Sequence, residues 1–227
     1  MPLNVSATAA GDSPFDLRGK CVFLSASIPD PERWRGDFDP LEITDAVVAT
    51  IRTILTSGGR VVTAAHPTIA PLILYVAREI RESIAERPAA IIYQSRLFVD
   101  VLPSETSLLA EAGLADVRWT EAQPGETRQP SRRRDSLKVL REVMLGETQP
   151  VAAIFIGGMK GILDEFYIYR RLFPDRPSYA IGQPGGEASS LVEYARQELR
   201  NDLATSRVYP ALLQRVLADI VSTLEQE

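Results

Sequence analysis

The feature that most constrains this chain is a wholly apolar run that passes through a glycine-rich turn into a helical segment. Val151-Ala152-Ala153-Ile154-Phe155-Ile156 is followed by Gly157-Gly158-Met159-Lys160-Gly161, then by residues 162–173. Six consecutive apolar residues without alternation describe a strand buried on both faces. Such a strand belongs inside a parallel sheet covered by helices, and one unit of this kind cannot stand alone. The rest of the chain must supply its neighbours.

Those neighbours are visible. Cys21-Val22-Phe23-Leu24 is a short apolar run that ends in Ser25-Ala26-Ser27, and residues 28–39 form a Pro-rich, charged loop. Asp39 is placed to cap a helix, Pro40 suits its first position, and Glu42 stands where a capping-box acid would. Ile43, Val47, Ile51 and Ile54 share one face of that helix, and Gly58-Gly59 ends it. A strand over residues 60–63 leads to His66-Pro67 and a second helix carrying Leu72, Val76, Ile80 and Ile84. Residues 89–93 form a third strand, with a helix over 104–112 and a short strand over 117–120 after it.

Residues 121–134 are polar and hold Arg132-Arg133-Arg134, a segment read as disordered or as a mobile lid. A helix over 135–145 stops near Gly146. Beyond the glycine strand come a strand over 178–181, a turn at Pro184-Gly185-Gly186, and a helix over 191–200. Leu213, Val216, Leu217, Ile220, Val221 and Leu224 then form an apolar stripe of helical period. Strands alternating with helices imply right-handed crossovers, hence an α/β, Rossmann-like, doubly wound and mostly parallel sheet with helices on both faces. The expected division is a flexible tail over 1–18, a Rossmann-like domain over 19–200, and a C-terminal helix over 201–227 that packs on the domain or on an oligomer partner.

Composition excludes some functions. The net charge of −5 argues against nucleic acid as the main partner. One cysteine, Cys21, leaves neither an intrachain disulfide nor a cysteine-based zinc site, and a lone histidine adds no metal cluster. No metal or cofactor is expected. The start of the chain lacks a secretory pattern and no apolar run is long enough to span a membrane, so a reducing cytoplasm is the expected location.

In an open parallel sheet, ligands gather beyond the carboxyl ends of the strands. Three segments fall there. Ser25 and Ser27 either offer hydroxyls to a ligand or form an ordinary turn. The 157–161 turn, with Asp164 and Glu165 one helical turn on, either binds an anion through backbone N–H groups or simply joins strand to helix. It is neither a P-loop nor a G-x-G-x-x-G fingerprint. The turn at Gly185-Gly186 is the third. His66 either meets ligand or makes structural hydrogen bonds, and Arg132 to Arg134 either clamp phosphate or are solvated.

Taken together, CVFLSASIP, HPTIAPL, IIYQS, FIGGMKGILDEF and PGGEA resemble the SLOG superfamily, from about residue 21 to 196. The likeness is greatest to the short bacterial branch associated with TIR and other defence effectors. SLOG domains are Rossmann-like and related to the Lonely Guy phosphoribohydrolases and DprA. The resemblance implies sensing of a nucleotide-derived messenger such as ADP-ribose or its cyclic forms. It implies that Ser25, Ser27, His66, Gln94 and Met159 face the ligand. Gly157, Gly158 and Gly161 would cradle phosphate or ribose, and Gly185 with Gly186 would contact a second phosphate. It also places Arg141 and Glu165 where Lonely Guy enzymes carry their catalytic arginine and glutamate. Departures are an extra residue in the glycine turn, Ile162 for a threonine, and Ala64-Ala65 where glycines are common.

Three functions follow as expectations: a messenger sensor, a homo-oligomer with a separately encoded effector; a nucleotide N-glycosidase using Arg141 and Glu165; or an effector-partner module with a vestigial pocket.

Overall fold

The computed structural model describes residues 15–82 and 87–226. Ile84 and most of the expected N-terminal tail lie outside these residues. The sheet has six strands: β1 (Cys21–Ser27), β2 (Arg60–Ala64), β3 (Ala90–Ser95), β4 (Ala115–Thr120), β5 (Ala152–Gly157) and β6 (Ser178–Ile181). Their order is β4-β3-β2-β1-β5-β6, and every neighbouring pair is parallel. The chain therefore steps outward from β1 to β4, then returns to β5 on the other side of β1. The strand order reverses between β1 and β5.

Right-handed crossovers force the helices to change face where the order reverses. Helices α1 (Pro40–Thr56), α2 (Ala70–Glu79) and α3 (Ser104–Glu111) pack on one face, joined there by α6 (Gln197–Thr205) and α7 (Tyr209–Leu224). Helices α4 (Arg134–Thr148) and α5 (Gly161–Leu172) cover the other. β1 shows the division residue by residue: Val22 and Leu24 join the first core, Cys21 and Phe23 the second. This is a doubly wound Rossmann-like fold.

Local chemistry explains the helix ends. Asp39 Oδ1 accepts from the N–H groups of Leu41 and Glu42 at 2.9 and 3.1 Å, and Pro40 begins α1. The capping box is not closed. The Asp39 N–H donates to Pro184 O at 2.8 Å, and the Glu42 carboxylate instead accepts from Tyr209 Oη at 2.5 Å. Glu42 thus ties the start of α1 to the start of α7.

Four expectations change. Leu17 falls inside the stretch read as a tail, yet it is fully buried and its N–H donates to Ser57 O at 2.7 Å. The 121–134 segment is pinned rather than loose. Glu126 accepts from the N–H groups of Asp135 and Ser136 at 2.8 and 2.7 Å, and the Gln123 N–H donates to Ser136 Oγ at 2.8 Å. Helix α4 runs through Gly146 and ends at Gln149, whose φ is 45°. The helix expected over 191–200 is broken: a 3-10 turn over Glu187–Tyr194 gives way at Ala195 and Arg196 before α6 begins.

The stripe on α7 is spent inside the chain. Leu212, Leu213, Val216, Leu217 and Ile220 are buried in the same core as Ile43, Val47, Ile51 and Ile54 of α1. Each such side chain contributes roughly 1.5–3 kcal/mol of burial. Among the described residues, no helix is long and apolar enough to cross a membrane.

Candidate functional site

The order reversal leaves the carboxyl ends of β1 and β5 side by side, with Ser27 opposite Gly157. Helices leaving adjacent strands to opposite faces open a crevice there. Gly157 and Gly158 turn the chain at φ 62° and 70°. The Gly158 N–H donates to Ser27 O at 2.7 Å, and its carbonyl accepts from the Glu187 N–H at 2.9 Å. The Gly186 N–H donates to Asp37 O at 2.9 Å, and the Gly185 N–H donates to Gly182 O at 3.0 Å. Three backbone segments are thus stitched edge to edge: 157–158, 184–187 and 37–39.

These bonds decide which amides are open. The N–H groups of Gly158, Gly185 and Gly186 already have protein acceptors. Among the described residues, those of Met159, Lys160 and Gly161 have none, and they stand at the N-terminus of α5. The positive end of the helix dipole and these free donors favour an anion at that point. The glycines of the two turns serve the close packing of these segments: a β-carbon on Gly157, Gly158, Gly185 or Gly186 would come within 3 Å of other protein atoms.

Beside these turns lies a polar chain. Ser25 is buried, and its hydroxyl donates to Glu165 Oε2 at 2.5 Å. Arg141 Nε donates to Glu165 Oε1 at 3.1 Å, Nη1 to Asp164 Oδ2 at 3.2 Å, and Nη2 to the Gly161 carbonyl at 3.4 Å. The Arg141 and Glu165 side chains keep 12% and 16% of their surface exposed, so the pair is mostly enclosed but still reaches the crevice. Strand β1 aims Ser25 and Ser27 at the same face, since side chains two apart share it. Among the described residues, the Ser27 hydroxyl has no protein partner.

The other expected residues stand farther along the edge. His66 follows β2. Its Nδ1 accepts from the Thr68 N–H at 3.3 Å and lies 2.8 Å from Thr68 Oγ1, which in turn accepts from the Ile28 N–H at 3.3 Å. An accepting Nδ1 leaves the proton on Nε2, and burial holds the ring's pKa below its ordinary value. Gln94 is the last residue but one of β3, two strands from β1. Its Nε2 donates to Ala65 O at 3.3 Å and its Oε1 accepts from the Ser95 N–H at 2.9 Å, so its amide braces two strand ends. Met159 is half-buried at the turn, and Ala65 packs against the core.

Burial first, then the positive charges of Arg33 and Arg141, holds the Arg133 pKa below its ordinary value.

Fold and site together define a Rossmann-like α/β domain whose crevice opens where the strand order reverses. The sequence pattern of the SLOG cluster3 family matches residues 33–217, and the chain belongs to this family. Among solved structures, the X-ray structure of TM1055, a Northeast Structural Genomics Consortium target, is similar at a TM-score of 0.46 and 15% identity, over 77% of this chain and 81% of that one. No curated protein matches the chain.

Proposed function

We propose that this chain binds and senses a nucleotide-derived small molecule, ADP-ribose-like or a cyclic nucleotide messenger, at the β1–β5 crevice. The observation that carries this is the row of open N–H groups at Met159, Lys160 and Gly161, set beside two glycine turns whose other amides are engaged. Phosphate answers both the free donors and the helix dipole. Ribose hydroxyls match Ser27 and the Glu165 edge. Family membership supports the same ligand class.

As a sensor the protein must bind its ligand differently in two states, and a separately encoded effector or a second copy of the chain would read the difference. A bacterial defence or signalling setting fits this role. The test is a thermal-shift screen with AMP, ADP-ribose, cyclic ADP-ribose isomers, NAD and cyclic dinucleotides. A ligand at 100 times its dissociation constant stabilises the fold by about 2.7 kcal/mol. Silence across the panel would favour an effector-partner module with a vestigial pocket.

The Ser25–Glu165–Arg141 chain favours a second reading, a nucleotide N-glycosidase. Glu165 would stabilise an oxocarbenium-like ribose or orient water, and Arg141 would hold its carboxylate in place. Free base released from a nucleotide by the wild type, and not by Glu165→Gln, would establish it.

A further inference from the structure

Thr68 ties the histidine to the end of β1, and it decides what His66 can offer a ligand. The β1–β2 register sets Phe23 opposite Val62, so His66 stands level with Ser27, four residues on in each segment. Ser27 in turn is paired with Gly157. Thr68 bridges the first two segments: its Oγ1 accepts at 3.3 Å from the N–H of Ile28, the residue after Ser27. Gly157, Ser27 and His66 therefore form a row across the carboxyl ends of β5, β1 and β2. At one strand spacing per step, the row is about 10 Å long.

Hydrogen bonds from Thr68 fix the imidazole. The Thr68 N–H donates to Nδ1 at 3.3 Å, so Nδ1 must present its lone pair. A proton on Nδ1 would meet that N–H head-on. Thr68 Oγ1 lies 2.8 Å from the same Nδ1. Because Oγ1 already accepts from the Ile28 N–H, its own proton is free to point at Nδ1. One residue thus holds Nδ1 as an acceptor twice over and leaves the ring's proton on Nε2. The ring stays neutral, because a second proton has no place on Nδ1. Among the described residues Nε2 has no protein partner, and the ring keeps part of its surface exposed.

A neutral Nε2–H can donate and nothing else. It brings no charge to a phosphate and no lone pair to take a proton from water. What it selects is an acceptor atom on an uncharged part of the ligand. The phosphate belongs at the other end of the row, on the open amides of α5, where the helix dipole favours negative charge. A nucleotide lying along the row then brings its sugar or base to His66.

We propose that Thr68 is a positioning residue that locks His66 as an Nε2–H donor, and that this donor meets a sugar or base acceptor of the ligand whose phosphate lies on the amides of Met159, Lys160 and Gly161. This rests on the reading of the crevice as a nucleotide site. It gives that site a direction, from phosphate at β5 to sugar or base at β2.

The test uses the chain's only histidine as its own reporter. Long-range proton–nitrogen NMR at about pH 7.5, above the ordinary histidine pKa, shows which ring nitrogen carries the proton. The lock predicts a single Nε2–H tautomer in the wild type and in Thr68→Ser, and a share of Nδ1–H in Thr68→Val, which lacks the hydroxyl. Calorimetry with ADP-ribose should show about fivefold weaker binding by Thr68→Val and by His66→Asn, with recovery in Thr68→Ser. Asparagine reaches only the Nδ1 position and so lacks the donor. An Nδ1–H ring in the wild type, or a ring unchanged in Thr68→Val, would overturn the lock. ADP-ribose binding that ignores both Thr68→Val and His66→Asn would overturn the donor's role and leave the nucleotide site standing. A locked ring in a protein that binds no ADP-ribose would keep the lock and sink the nucleotide reading. Thermal melts of each variant separate lost contacts from lost fold.

Discussion

Gly186 lies directly against Gly157: a β-carbon on Gly186 would come within 2.6 Å of the Gly157 carbonyl carbon. Gly186 also holds φ 73° and ψ −174°, a region open essentially to glycine alone. The two turns can meet only because Gly186 has no side chain, whereas a β-carbon on Gly157 would meet the Ser27 carbonyl oxygen at 2.7 Å and Ile43 Cδ1 at 2.8 Å. Gly186→Ala therefore forces the 184–187 segment away from β5 and strains its own backbone. Denaturant unfolding should show a loss of about 3 kcal/mol, the upper part of the ordinary range for single substitutions. Gly146→Ala is the counterpart in α4, where a β-carbon meets nothing within 4 Å. It should leave stability unchanged or raise it by roughly 0.5–1 kcal/mol.

The Arg141–Glu165 pair should behave as a coupled unit. Both side chains are mostly enclosed, so removing one leaves the other charge poorly compensated. Asp164 is largely exposed and can neutralise Arg141 only in part. Glu165→Leu should cost roughly 1–3 kcal/mol, after allowance for the solvent that still reaches the pair. Combining it with Arg141→Met should recover part of that loss. A double-mutant cycle checks this, and additive costs would show that the pair is not coupled.

His66 should set a pH dependence of its own. Burial lowers its folded-state pKa below the ordinary 6.5, so the folded protein favours the neutral ring more than the unfolded chain does. The contribution is complete above about pH 6.5 and is lost as pH falls through the folded value. His66→Asn keeps an acceptor near Nδ1 but cannot titrate. Unfolding free energies at about pH 7.5 and 5.5 should fall more steeply for the wild type than for the variant, because this is the chain's only histidine. Equal slopes would mean that the ring is not held neutral by the fold.

Glu126 should control the 121–134 loop. Its carboxylate serves two N–H groups in the first turn of α4. Hydrogen bonding to Ser136, and then to the Asp135 and Ser136 backbone, lowers its pKa. Glu126→Ala removes these bonds while touching nothing in the core. Trypsin should then cut after Arg128 or Arg132 severalfold faster, with little change in global unfolding. An unchanged cleavage rate would show that the rest of the loop fixes itself.

Much of this architecture was readable from the chain. Val151 to Ile156 announced a buried strand, the Asp39-Pro40 pair announced α1, and the α7 stripe announced a helix packed on one side. What the stripe packs on was not readable, because an apolar face fits α1 and a second subunit equally well. The break at Ala195 and Arg196 carries no glycine or proline. It comes from tertiary contacts: Ala195 and Leu199 join the core while Arg196 reaches Asp219 at 2.6 Å. The loop looked free because its anchor, Glu126, caps a helix nine residues on, a spacing no periodic pattern reveals. At the site, the glycine turns and the Arg141–Glu165 spacing were visible. Which amides remain open was not, since that depends on bonds from Ser27, Asp37 and Gly182.

The central claim is that the open amides at the start of α5 hold the ligand's phosphate, and calorimetry of ADP-ribose on Gly161→Asp tests it most directly. Gly161 needs no unusual backbone, and a β-carbon there meets only the Arg141 guanidinium at 3.2 Å. An acidic residue at a helix N-terminus is favourable for folding, yet it puts negative charge where the phosphate would sit. The predicted result is a variant that melts at or above the wild-type temperature and binds ADP-ribose at least about tenfold more weakly. Wild-type binding that survives unchanged in Gly161→Asp would contradict it and place the ligand elsewhere on the sheet edge.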